Sequence, residues 1–359
     1  MSRVALTLFL PLFSLSLLTA CDKTTPPAKS ALPPLATVQA ELINPWHQSF
    51  VSSSTQLKAR VERFCQNPAN PGEYQEARTA WLASMLAWQQ VNLIKFGPIS
   101  EDNQGWKIQF WPDNHNLVEK KVKALLDENE HITEEVLGGA SVVAQGLSAV
   151  EFLLYDPQYT DSAALGGKPC DLLRLATTRV EGVAKGLLSA WQQGSLGAWQ
   201  PAALTVGSEA EKTALLDLAK SLVTSLEIVK KDKLEGPIGS LTNPEAKPFH
   251  SESWRSTSGK AALLAQLKGA NALFEQGLAP LLKSPEQQAL KRTVQENLST
   301  IIKDLEANPA ELVALANTEA GRTLIVNCAQ LLGKVNGLLK REIPQSLGLQ
   351  LGFNGNDGD

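Results

Sequence analysis

The chain has 359 residues, with 33 Lys and Arg against 37 Asp and Glu and a formal net charge of −4. That balance excludes the generally basic surface that holds nucleic acid, so no nucleic-acid partner is expected. With 43% hydrophobic residues the chain can bury a large core, in one large or two modest domains.

Arg3 is followed by an apolar run from Val4 to Leu18, broken only by Ser, Thr and Pro, and then by Leu18-Thr19-Ala20-Cys21. The run is too short for a spanning helix and reads as a secretory signal peptide over residues 1–20. L-T-A-C resembles a bacterial lipobox, which implies cleavage before Cys21 and lipidation of that residue. The expected product is anchored to a membrane on the periplasmic side of the bacterial envelope; ordinary cleavage, leaving Cys21 a free thiol, is the alternative. Asp22 resembles the inner-membrane retention signal of enteric lipoproteins, a rule that varies among bacteria, so inner and outer membrane both stay open. Residues 21–37, rich in Pro, Thr, Ser and Ala after the cysteine, read as a flexible tether.

From Val38 onward nearly every long segment has helical period. Residues 74–95 carry Trp81, Met85 and Trp88 at i, i+4 and i+7, with Leu82 and Leu86 widening the stripe. Phe96-Gly97-Pro98-Ile99 is a stop signal. A polar loop leads to Phe110-Trp111-Pro112-Asp113, and helix restarts after Pro112 with Asp113 or Asn114 as its cap. Further helical runs are expected over about 116–128, 132–155, 170–193, 209–233, 252–275, 285–306 and 310–341. No strand alternation and no repeat of fixed period is present. The expected fold is all-α, two packed helical bundles over 38–195 and 205–359 with a seam near 194–208. Cys65 and Cys170 each lie at a helix boundary, whereas Cys328 sits in an apolar helical stretch where a buried free thiol is common. In an oxidising compartment the expected disulfide is therefore Cys65–Cys170.

Gly146–Tyr155, reading G-L-S-A-V-E-F-L-L-Y, sets one carboxylate, Glu151, in an otherwise apolar or small segment, with Ser148 on the same helical face. A buried carboxylate must be paired, hydrated, protonated or metal-bound. An ion pair with Arg or Lys of a neighbouring helix meets that need without any function. A second polar cluster runs from His250 to Gly259. There Ser251 or Ser253 can cap a following helix, and Glu252 and Arg255, three apart, can pair with each other. The tail offers Asn354, Asn356, Asp357 and Asp359 as an oxygen-ligand loop, without the distal glutamate of an EF-hand, and Phe353 as an anchor against disorder. His131 reads as a solvated helix-start residue; His250 can supply an imidazole near Glu252.

In their order along the chain, F-G-P-I, W-P-D, the Gly146–Tyr155 helix, E-S-W-R-S and the closing D-G-D resemble the imelysin-like family. The family's helix pattern is G-x-H-x-x-E. Gly146 and Glu151 match it, and Ser148 stands where the histidine would be, although a serine hydroxyl is a poor ligand for iron or zinc. The resemblance implies an all-helical exported or surface-anchored protein associated with iron uptake, with iron-transport components as partners. By the same resemblance, Ser148, Glu151, Glu252, Arg255, Asp357 and Asp359 would gather at an interdomain cleft. There they would bind iron or another divalent metal, through Glu151 and Glu252, or a small ligand. The family also carries a peptidase label, so a metallopeptidase is one alternative and a non-catalytic envelope scaffold another. No H-E-x-x-H, G-x-S-x-G, G-x-x-x-x-G-K-[ST], G-x-G-x-x-G or C-x-x-C occurs, which argues against common zinc peptidases, serine hydrolases, nucleotide-binding folds and thioredoxin-like redox chemistry.

Overall fold

A computed structural model describes Met1, residues 34–194, 196–239, 247 and 250–351. Apart from Met1, the expected signal peptide, Cys21 and the expected tether as far as residue 33 lie outside the described residues, as do Asp357 and Asp359. Residues 34–37, expected as the end of the tether, instead belong to a short helix, Pro34–Val38, with Leu35 and Ala36 buried. Among the described residues the fold is all-α, with no β-strand.

Helix α1, Asn44–Phe64, has Pro45 in its first turn and buries Trp46, Phe50, Leu57, Val61 and Phe64 at helical spacing. Helix α2, Pro71–Val91, is capped by Asn70, whose side chain accepts from the backbone N–H of Gly72 and Glu73. Its stripe of Trp81, Met85 and Trp88 is fully buried. Then follow α3 (Leu117–Glu128), α4 (Gly146–Tyr155), α5 (Lys168–Gln193) and α6 (Glu209–Ile228). The last long helices are α7 (Gly259–Leu273), α8 (Pro285–Ala307) and α9 (Glu319–Gly337). Helices α6 and α7 run on into wider π-helical turns, Val229–Glu235 and Phe274–Leu278.

Residues from Pro33 onward form one compact unit. Helix α1 packs on α2 and α5, α4 on α5 and α2, and α8 on α9. Helix α2 also packs on α7, so the first half of the chain meets the second directly. Among the described residues the connection between α5 and α6 is non-helical apart from one short turn, Gly197–Trp199, and it is not a free linker. Trp199 is buried and stacks on Phe96 with ring centroids 4.5 Å apart. Cys65, just past the end of α1, is bonded to Cys170 at the start of α5, 105 residues away, and Cys328 is a buried free thiol. No helix among the described residues is long and apolar enough to cross a membrane.

Three helical runs differ from the sequence expectation, each for a local reason. The run over 132–155 is broken: Glu134–Gly139 ends at a glycine pair, a short turn covers Val142–Ala144, and α4 begins at Gly146 with φ +70°. Helix α7 begins at Gly259 rather than 252, because the chain turns through left-handed conformations at Ser253 and Thr257 (both φ 52°). The run over 310–341 is split between Leu312–Ala316 and α9, where the Thr318 hydroxyl caps Gly321.

Candidate functional site

The polar interior is assembled from five separate stretches: α2, the segment 95–112, α4, the π-helical turn after α6, and the loop 250–258. The segment 95–112 and α4 are bound together first. Gly146 and Ser148, both on α4, make that junction. A Cβ at Gly146 would lie 2.4 Å from the Ile108 carbonyl oxygen, so that segment crosses α4 where only glycine leaves room. Two residues on, the Ser148 hydroxyl accepts from the Phe110 N–H (3.1 Å) and donates to the Phe110 carbonyl (3.0 Å). Ser148 thus fastens backbone, fixing Gln109 and Trp111 on either side of Phe110. The Trp111–Pro112 peptide is cis.

Glu252 is the centre of the network. Its Oε2 meets the Lys233 ammonium at 2.7 Å, with both side chains 2% exposed. Its Oε1 accepts from Gln109 Nε2 (2.9 Å) and Gln89 Nε2 (3.2 Å). Lys233 donates also to Gln89 Oε1 (2.8 Å) and lies 5.4 Å from the Trp111 ring centroid. Burial lowers the Lys233 pKa, and the Glu252 carboxylate opposes that shift.

Glu151 is buried on α4, and its Oε1 accepts from both the backbone N–H (2.9 Å) and the hydroxyl (2.8 Å) of Ser256. A single residue of the loop thus clasps the carboxylate. Burial raises the Glu151 pKa from 4.5 to about 6; the two Ser256 hydrogen bonds and Arg255 pull it down, and Glu252 pushes it up. A carboxyl whose native pKa exceeds its unfolded value costs stability when ionised. That cost is fully present above about pH 6, fades as pH falls from 6 to 4.5, and is gone below 4.5. It amounts to ~2 kcal/mol. Glu151→Gln, which keeps the acceptor for Ser256, is therefore expected to gain on the wild type by that amount between pH 4 and pH 7 in urea unfolding. A stability difference independent of pH would refute the assignment.

Arg255 does not pair with Glu252, contrary to the expectation of a shared helical face. The left-handed turn at Ser253 sends the two apart. Arg255 Nε donates to Asp156 Oδ2 (3.0 Å) and Nη2 to Asn116 Oδ1 (2.6 Å), with Glu119 at 3.5 Å. Its guanidinium packs on the Trp254 ring, 4.3 Å from the centroid. Ser251 and Ser253 do not cap α7, whose N-cap position is Ser258. His250 stands near Lys247 and His115, which, after burial, are what lower its pKa.

These donors fit a bare metal ion poorly. Among the described residues no three His, Cys, Asp or Glu side chains form a group able to hold one. Glu252 already faces an ammonium and two amide donors, and Glu151 is clasped by Ser256.

Against the Lys233 side of this network lies a pocket of about 580 Å³, lined by Trp88, Trp106, Trp111, Lys95, Gln109 and Lys233 among others. The Lys95 backbone N–H donates to Ser221 Oγ on α6 (2.9 Å), and its ammonium donates to Asn92 Oδ1 (2.7 Å). Burial, then the neighbouring Lys233, bring its pKa down to about 8, with Glu252 pulling upward.

A family model described as Imelysin matches residues 43–336. The chain belongs to the imelysin family. Similar solved structures include an imelysin-like protein from Psychrobacter arcticum 273-4, with TM-score 0.74 and 23% identity over 89% of this chain and 96% of that one. Another is a protein named as a putative iron-regulated protein A precursor, from Parabacteroides distasonis ATCC 8503, with TM-score 0.65 and 18% identity over 87% of this chain and 96% of that one. At these identities the likeness speaks for a shared fold. No curated protein matches the chain.

In this imelysin-family chain the structure brings Glu151 into contact with the 250–258 loop, and sets Ser148 beside Phe110, Glu252 on Lys233 and Arg255 on Asp156. Sequence reasoning missed Gln89, Lys95, Gln109, Trp111 and Lys233. Gln89 had a signal, since it lies four residues after Met85 and next to Trp88, where an apolar side chain is expected. Lys233, in the run Lys230-Lys231-Asp232-Lys233, had none, because such a charge run reads as a solvated face.

Proposed function

We propose that this imelysin-family protein is a ligand-binding protein of the bacterial envelope. In this reading it is anchored through lipid on Cys21, takes a small ligand in the pocket beside Lys233, and passes iron in chelated form to iron-transport components. The pocket carries this reading. Three tryptophans and two lysines line a volume of the size that small-molecule sites occupy, against a buried ion pair that rigidifies one wall. The iron half rests on the name of the Parabacteroides neighbour and on family membership. Iron arriving as a chelate suits these donors better than a bare ion does, since an ammonium already occupies Glu252.

The test has two arms. Mature protein should show a raised Tm with at least one of a panel of ferric chelates, and Trp106→Ala should abolish the rise. A strain lacking the protein should grow more slowly under iron limitation. No shift with any chelate would refute the binding reading, and unchanged growth would refute the iron role.

A further inference from the structure

The pocket wall carries an ammonium with donor capacity to spare. Among the described residues no carboxylate stands within ion-pair distance of Lys95, whose ammonium has only the Asn92 amide oxygen as a hydrogen-bond partner. Lys95 is half-buried, and an ammonium with no counter-charge in contact is a ready partner for an anion. In the same wall as Lys95, Trp106 is 53% exposed and is held edge-on against Phe110, 5.4 Å between centroids. Trp106 is one of only three large hydrophobics exposed among the described residues. An indole left open to solvent at a pocket mouth is the surface on which a flat ring stacks. Asp232 also lines the pocket, so its charge must be accommodated. Lys231 and Lys233 stand near it, and burial favours its protonated form. A hydroxyl-bearing ligand can donate to it, whereas a second anionic group there would be repelled.

We infer that the pocket takes a small aromatic carboxylate, its carboxylate on the Lys95 ammonium and its ring on the tryptophan wall. This rests on the pocket being the ligand site of the preceding reading and adds the chemical class. A charged hydrogen bond at Lys95 gives the affinity, and the rings select for a flat body. Lys233 contributes field rather than a free hand, because Glu252 and Gln89 already hold its ammonium.

The experiment titrates the mature protein with salicylate, benzamide and inorganic phosphate, followed by tryptophan fluorescence and calorimetry. Salicylate should bind and quench, while benzamide, which lacks the charge, and phosphate, which lacks the ring, should each bind about tenfold more weakly or worse. Lys95→Met should weaken salicylate by a similar factor with its Tm little changed, since the side chain is only half-buried and makes no ion pair, and Lys95→Arg should recover part of the affinity. Benzamide binding as tightly as salicylate, or Lys95→Met leaving salicylate affinity intact, would overturn the inference. So would failure of salicylate to bind at all. If ferric chelates still raise the Tm in that case, the pocket remains a ligand site of another class; if they too fail, both readings fall.

Discussion

Lys233→Met is expected to destabilise the protein by ~3–5 kcal/mol, the cost of leaving a buried carboxylate without its counter-charge. Glu252 and Lys233 are each 2% exposed and 2.7 Å apart, so water cannot take the place of the lost ammonium. The two glutamine amides that remain on Glu252 offer hydrogen bonds but no net charge. The double variant Lys233→Met/Glu252→Gln should recover most of the loss. It removes both charges, and the introduced amide keeps an oxygen that can still accept from Gln89 and Gln109. Urea unfolding of the wild type, both single variants and the double variant gives the coupling energy directly. A single-variant loss under ~1 kcal/mol, the usual worth of an exposed pair, would mean that solvent reaches Lys233 in solution. The size of the expected effect follows from where the pair sits. It joins α2 through Gln89, the 95–112 segment through Gln109, the turn after α6 through Lys233 itself, and the 250–258 loop through Glu252.

The same four-way junction explains which parts of the molecule were legible in the sequence. The aromatic stripe of α2 was, since Trp81, Met85 and Trp88 repeat at helical period and period alone places them inside. The Cys65–Cys170 bridge was legible too, from the position of both cysteines at helix boundaries while Cys328 sits in an apolar helical stretch. Glu151 announced itself as a lone carboxylate in an apolar helix, and it is indeed buried, but its partner was not readable. Ser256 reaches it only because Ser253 and Thr257 adopt left-handed conformations, and neither residue type signals that. Once the chain turns there, Glu252 and Arg255 leave the common face that helical spacing gave them. Lys233 becomes an interior residue, and Lys95 a half-buried one, through long-range packing onto α2 and α6, and no local pattern records contacts made across more than a hundred residues.

Gly146→Ala is expected to cost ~3 kcal/mol or more, far above what a methyl group costs at most glycines. Two effects combine. Gly146 has φ +70°, where an L side chain is disfavoured by about 1 kcal/mol. A Cβ there would also stand 2.4 Å from the Ile108 carbonyl oxygen and 2.7 Å from that of Lys107, both backbone atoms that no rotamer change can move aside. The segment 107–112 would have to lift off α4, loosening the double hydrogen bond between Ser148 and Phe110 and, with it, Gln109 and Trp111. The loss should therefore spread to the pocket, with weaker ligand binding at temperatures where the variant is still folded. Gly186→Ala provides the control: it lies inside α5, where a Cβ meets nothing within 4 Å, and alanine should stabilise by ~0.5–1 kcal/mol through helix propensity alone. Urea midpoints of the two variants should move in opposite directions. If Gly146→Ala shifts no further than Gly186→Ala, the close crossing of the 107–112 segment over α4 does not exist in solution, and the glycine of this helix is there for another reason.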